Sequence, residues 1–161
     1  MQLTHYTDYS LRVLLYLSLQ DEDRITISDI AERFHIPRNH LVKVVHHLGK
    51  LNYIHTTRGK KGGLKLAIPA SEIGIGTVVR EMETRLDIMD CNAPSTCPIL
   101  PLCRLKKVLH AACDAFLDVL DGYTISDLQQ PPEGLKNLLC WRHHHHHTHS
   151  STVSPIDPYT G

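Results

Sequence analysis

Three cysteines, Cys91, Cys97 and Cys103, recur with five residues between each pair. Thiolates bind soft metals and iron–sulfur clusters. Structural zinc favours gaps of about two to four residues, so this spacing is wide for zinc. Pro94, Pro98 and Pro101 forbid a regular helix through the same stretch. A wide, proline-bent loop suits a larger object. Three chemistries stay open: an iron–sulfur cluster, a zinc ion, or unligated thiols in a redox-sensing loop. Three thiolates also leave one ligand position to fill. Asp87, Asp90, His110 and Cys113 are local candidates, and Asp8 is a distant one. Cys113 falls in a helical stretch, where cysteine commonly packs as a small hydrophobe. His110 better suits a solvated helix face. Asp8 equally suits a first-turn charge on a helix dipole. Cys140 lies in the tail and is read as incidental.

A second constellation suits nucleic acid. Arg38, Asn39, His40 and Lys43 gather at the start of one amphipathic segment. Arginine pairs bidentately with guanine and asparagine with adenine, and a recognition helix presents its N-terminal residues to base edges. Ser28, in the preceding helix, joins this set. Arg58, Lys60 and Lys61 sit in a glycine-rich RGKKGG turn and can reach phosphates or a neighbouring minor groove. The plain alternative is a solvated basic helix face.

Positioning these groups requires particular elements. A helix is expected from Thr7, with Asp8 in its first turn and Leu11, Leu14, Leu15 and Leu19 on one face. Val13 and Leu17 make the opposite face apolar, so the helix is expected to be buried on two sides, one of them by a partner chain. A short helix follows, capped by Thr26 or Ser28, with Ile30, Ala31 and Phe34 inward. His35-Ile36-Pro37 is a turn, and Pro37 suits the opening of the next helix over about 38–51. Leu41, Val44, Val45 and Leu48 form its inner face. Strands at 53–56 and 64–68 flank the RGKKGG turn. A helix at 76–87 buries Val78, Val79, Met82 and Leu86. A long helix at 104–121 has Leu105, Val108, Leu109, Ala112, Phe116 and Leu120 as its stripe, and YTISDL at 123–128 starts a short further turn. The fold class is therefore mostly α: a winged helix-turn-helix with a two-stranded β-wing and a long C-terminal dimerisation helix. The boundaries expected are 1–80 for DNA binding, 81–130 for the cysteine loop and dimerisation helix, and 131–161 for a disordered or appended His-rich tail.

Composition bounds the remainder. The chain has 161 residues, and its 17 Lys+Arg balance 17 Asp+Glu. That balance hides an asymmetry. Residues 24–65 hold nine Lys/Arg against two Asp/Glu, and residues 72–133 hold five against ten. A basic segment followed by an acidic one suggests a nucleic-acid surface joined to something else. No apolar run approaches the roughly 18 residues of a membrane span. The N-terminal MQLTH lacks a signal-peptide pattern, so a cytoplasmic location and no membrane partner are expected. No dinucleotide fingerprint, Walker loop or HExxH motif points to an enzyme.

Taken together, QLTHYTDYSLRVLLYL, RNHLVKVVHHL, RGKKGGLKL, IGTVVREME, the three cysteines and CRLKKVL resemble the NsrR family of nitric-oxide-sensing repressors. That family is a branch of the winged-helix iron–sulfur regulators that also includes IscR. The resemblance covers about residues 1–130. It departs at Pro37, where relatives usually carry serine before Arg-Asn-His. It implies a homodimer on double-stranded operator DNA, with one iron–sulfur cluster per subunit. A 4Fe-4S cluster is favoured, and 2Fe-2S stays open. Cys91, Cys97 and Cys103 would be ligands. IscR-like relatives add a histidine three residues after the third cysteine, but Lys106 stands there. NsrR-like relatives add an N-terminal aspartate from the other subunit, and Asp8 matches. Nitric oxide would be the effector that releases the operator. An IscR-like cluster-status regulator and a metal-free thiol-redox regulator are the alternatives.

Overall fold

Thr4 and Thr7 can both cap the first helix, and the interior decides between them. Thr7 is fully buried, so Thr4 is the cap: its Oγ1 accepts from the Thr7 backbone N–H at 3.3 Å. In this computed structural model, α1 therefore spans His5–Ser18, starting two residues before Thr7. The structure describes residues 2–20, 24–57, 59, 62–86, 88–89, 97–130 and 132–139. The buried residues of α1 are Thr7, Ser10, Val13, Leu14, Tyr16 and Leu17. Leu11 and Leu15 are only half-buried. Leu11 packs against both hydrophobic clusters of the described residues, so the chain itself covers part of two sides of α1.

Helix α2 (Ile27–Phe34) opens with a capping box. Thr26 Oγ1 accepts from the Asp29 N–H, and Asp29 Oδ2 accepts from the Thr26 N–H at 2.7 Å. It ends at His35, whose φ of 52° is left-handed, with the Ile36 N–H returning to the Ala31 carbonyl at 3.0 Å. Helix α3 (Arg38–Lys50) follows, with Pro37 as a cap that makes no side-chain hydrogen bond. Proline thus stands just outside the helix rather than in its first position. The Pro37 carbonyl instead accepts from the His40 N–H at 3.0 Å. Leu41, Val44, Val45 and Leu48 are buried as their spacing predicts. Each such side chain contributes roughly 1.5–3 kcal/mol of burial.

Strands β1 (Ile54–Thr56) and β2 (Leu64–Leu66) pair antiparallel, with Ile54 opposite Leu66 and Thr56 opposite Leu64. Both are shorter than their sequence patterns. The Leu64 N–H donates to the Ile25 carbonyl at 2.8 Å, which pins the hairpin to the entry of α2. A Cβ on Gly63 would lie 3.1 Å from the Ile25 backbone, so a side chain there would push this junction apart.

Helix α4 (Ile75–Met82) stops before the expected residue 87, leaving Leu86 beyond it. Val78 and Met82 enter the main core with α1, α2, α3 and the hairpin. Ile75 and Val79 enter a second core with Cys113 and Leu117 of α5 (Arg104–Asp121). After α5 the chain returns to the start of α4: the Ile125 N–H donates to Ile73 O at 2.9 Å, and Ile125 is fully buried. The bidentate Arg80–Asp121 pair, at 2.6 and 2.7 Å, locks α4 to the end of α5. Residues 132–139, assigned by sequence to the tail, form helix α6 (Pro132–Leu139). Pro132 begins this helix, as proline is tolerated at a first helical position. Residues 140–161, including Cys140 and the histidine run, lie outside the described residues. Among the described residues, no helix is long and apolar enough to cross a membrane.

Candidate nucleic-acid interface and cysteine site

The solvent side of α3 is built by subtraction. Its four buried residues fix one face, so Asn39, Val42, Lys43, His46 and Lys50 project from the other. Arg38 and His40 stand on its two shoulders, and each is held by a neighbouring helix. Arg38 Nε donates to Ser28 Oγ at 3.3 Å, which brings those two predicted residues together across the helix-turn-helix. The His40 ring stacks on Tyr9 of α1, at 6.2 Å and 26°. Tyr9 in turn stacks on His5, at 5.7 Å and 22°. Sequence reasoning overlooked Val42 and His46. Their signal was present, since they follow Asn39 at three and seven residues, the period of one helical face.

A second grip lies deeper. The Tyr6 hydroxyl donates to the Lys43 carbonyl at 3.2 Å, and His47 Nδ1 lies 3.1 Å from the Tyr6 hydroxyl oxygen. With the hydroxyl proton committed to the carbonyl, Nδ1–H is the donor in the second contact. Burial raises the Tyr6 pKa, so this hydroxyl keeps its proton. Helix α1 thus holds α3 at residues 40, 43 and 47. The wing cations Arg58, Lys60 and Lys61 lie outside the described residues.

Of the three motif cysteines, Cys97 is exposed and Cys103 is half-buried, while Cys91 lies outside the described residues with Asp87 and Asp90. The Leu100 N–H donates to Cys97 O at 3.2 Å and the Cys103 N–H to Leu100 O at 3.3 Å, winding the five-residue gap into tight turns. Cys103 caps α5, and its Sγ accepts from the Lys106 N–H at 3.4 Å. A helix start favours negative charge, which suits an anionic ligand. Cys113 differs: it is buried and donates its S–H to Leu86 O at 2.9 Å. That contact makes Cys113 a core residue rather than a fourth donor. His110 is exposed on α5. The accessible thiols of Cys97 and Cys103 have the donor chemistry that iron–sulfur ligation requires. Among the described residues, no three His, Cys, Asp or Glu side chains gather into a metal site.

Asp8 is half-buried on α1 and pairs with Arg12 Nε at 2.8 Å. The Arg12 guanidinium also lies over the Phe34 ring of α2, 5.8 Å from its centroid. Glu83 at the end of α4 accepts from both the N–H and the hydroxyl of Thr4, at 2.7 and 3.1 Å. It therefore ties the start of the Asp8 helix to the chain that leads into the cysteines. Seventy-nine residues separate the two partners, and no local pattern announces this contact.

Finally, the expected stripe of α5 divides in two. Leu109, Phe116 and Leu120 are half-buried, while Leu105, Val108 and Ala112 face solvent. With Ala115 and Val119, the exposed set repeats at alternating three- and four-residue steps, the spacing that coiled-coil seams use.

A helix-turn-helix with a β-hairpin wing and a basic reading face defines a winged-helix DNA-binding regulator. Residues 3–131 match Rrf2, described as an iron-dependent transcriptional regulator, and the chain belongs to the Rrf2 family. It is 50% identical over 142 residues to the HTH-type transcriptional regulator NsrR of Geobacillus kaustophilus, covering 86% of this chain and 97% of the relative. It is 47% identical to the NsrR of Halalkalibacterium halodurans over the same share of each chain. Among solved structures, oxidised CymR of Staphylococcus aureus superposes with a TM-score of 0.65 at 27% identity, over 81% of this chain and 97% of that one. T. potens IscR shares the fold, with a TM-score of 0.67 at 20% identity, over 84% of this chain and 91% of that one. The family places the chain among transcriptional regulators rather than enzymes.

Proposed function

We propose that this protein is a homodimeric transcriptional repressor whose hold on operator DNA is set by an iron–sulfur cluster and released by nitric oxide. In this reading residues 1–80 read DNA and residues 81–130 sense and pair. Cys91, Cys97 and Cys103 hold the cluster, with Asp8 of the partner subunit as the fourth donor. The bound cluster supplies iron, the chemistry by which nitric oxide is detected. The cluster is read as a 4Fe-4S centre, one per subunit.

The observation that carries this reading is the double role of α1. One side bears the half-buried Asp8, and another holds the recognition helix through Tyr6 and Tyr9. Moving Asp8 away from Arg12 surrenders an exposed ion pair, which is worth only about 0–1 kcal/mol. The carboxylate is therefore available to a metal at little cost. Arg12, still over Phe34, passes the change to α2, and Tyr9 passes it to His40. A hundredfold loss of operator affinity needs about 2.7 kcal/mol of coupling, within the usual allosteric range. Dimeric readers need recognition helices about 34 Å apart, so a small rotation of α1 is enough to spoil the register.

The test is anaerobic purification with a visible spectrum, iron and sulfide counts, and titration with nitric oxide while operator binding is followed. A coloured protein that bleaches and leaves DNA supports the proposal. A colourless protein that takes up no iron replaces it with the thiol-redox alternative, for which Cys97 and Cys103 are accessible. DNA binding itself has a signature. Six to eight phosphate contacts predict a slope of log K on log salt of about −5 to −7.

A further inference from the structure

The reading face of α3 contains one residue that local helix energetics do not ask for. Val42 is 40% exposed, although β-branched residues are mediocre helix formers and a solvent position rewards a polar side chain. Its neighbours on the same surface are all polar: Asn39 one turn before it, Lys43 beside it and His46 one turn after. A lone apolar group among donors and acceptors is what reading a thymine methyl requires. The C5-methyl of thymine is the one apolar feature in the major groove.

We propose that Val42 is a specificity-determining residue that packs on the C5-methyl of a thymine within two base pairs of the adenine read by Asn39. The spacing supports this pairing of roles. Asn39 and Val42 are three residues apart, about 4.5 Å along the helix, and successive base pairs are about 3.4 Å apart. Asn39 offers the amide that matches the N6 and N7 edge of adenine, and Val42 offers methyl groups beside it. His40 and Arg38, which sequence alone places at equal rank, stand on the shoulders of the helix and are engaged there by Tyr9 and Ser28. That leaves the centre of the face to Asn39, Val42, Lys43 and His46. The inference rests on the DNA-binding reading and deepens it by naming one element of the sequence that would be read.

The experiment uses the full chain, prepared without air. Duplexes are first enriched from a random pool by binding to the protein. Each thymine of the enriched half-site is then replaced by deoxyuridine, which removes only the methyl group. One thymine per half-site should be methyl-sensitive, with binding about fourfold weaker per half-site and about sixteenfold weaker when both are replaced. With Val42→Ala, thymine and deoxyuridine duplexes should bind equally, at the level of the natural chain on deoxyuridine. Replacing Asn39 by alanine should relax the preference for adenine within two base pairs of that thymine. Failure to enrich any duplex would remove the DNA-binding reading and this assignment with it. An enriched duplex with no methyl-sensitive thymine, or one whose sensitivity survives Val42→Ala, would overturn the assignment alone.

Discussion

The two halves of the chain solve the folding problem differently. In the reading half, α1, α2, α3 and the hairpin bury each other's apolar faces, and even its buried polar residues Thr7 and Ser10 have partners. The half that follows α4 leaves work undone. Among the described residues, the second core, which α5 shares with α4, buries Ile75, Val79, Cys113 and Leu117, while Leu105, Val108 and Val119 face solvent. Leu102, next to a candidate ligand, is 90% exposed. A reader that one chain completes can be stable in either signalling state. A half that one chain leaves open has apolar surface still to be covered.

The largest effect expected sharpens that contrast. Asp substitutions at both Leu105 and Val108 should leave α1–α3 folded, because neither side chain belongs to a core of its own chain. They should convert the dimer to a monomer in sedimentation and lower operator affinity by about a hundredfold or more, the scale on which linked half-sites gain. A variant that stays dimeric would break the comparison at its centre. Next in size is Asp8→Ala, read by visible absorbance and iron retention. Cluster retention should fall by about tenfold or more, with the thermal transition of the cluster-free protein little changed. An unaltered spectrum and nitric-oxide response would remove Asp8 from the site.

Smaller effects probe the link between the halves. Tyr9→Ala removes the stack on His40 and should weaken DNA binding by about two- to tenfold, because an aromatic pair is worth roughly 0.5–1.5 kcal/mol. Helix content, followed by circular dichroism, should hold. The smallest effect is confined to acid. Arg80 holds the Asp121 carboxyl below its ordinary range by hydrogen bonding to it, so the unfolded chain takes up the proton first as pH falls. The stabilisation is present above the normal carboxylate pKa and disappears as pH drops through the lowered one. Below about pH 4 the melting temperature should therefore fall more steeply for the natural chain than for Asp121→Asn. The pair is exposed, so salt should shrink the difference.

Much of the reader was legible because its signals are local. Leu41, Val44, Val45 and Leu48 repeat at helical spacing, the Thr26-Asp29 cap is three residues long, and the glycines between two short β-prone runs mark a turn. The errors were local ambiguities. Thr4 and Thr7 are both cap-forming residue types, and α5 carries two apolar stripes that a single helical pattern merges. Val42 was passed over because apolar residues on an amphipathic helix are assigned to the core unless the buried face is counted. Contacts such as Thr4–Glu83 and Tyr6–Lys43 were illegible, because their partners are far apart in sequence and leave no periodic trace.

By itself the sequence determined the order and kind of the main elements, the basic reading segment and the family, since all three reside in short-range patterns of residue type. Only the tertiary structure decided which residues of α3 face outward, which cysteine is core and which face of α5 stays exposed. Those outcomes depend on which surfaces meet. A buried Cys113 and an exposed Cys97 are the same thiol until the packing of α4 on α5 takes water away from one of them.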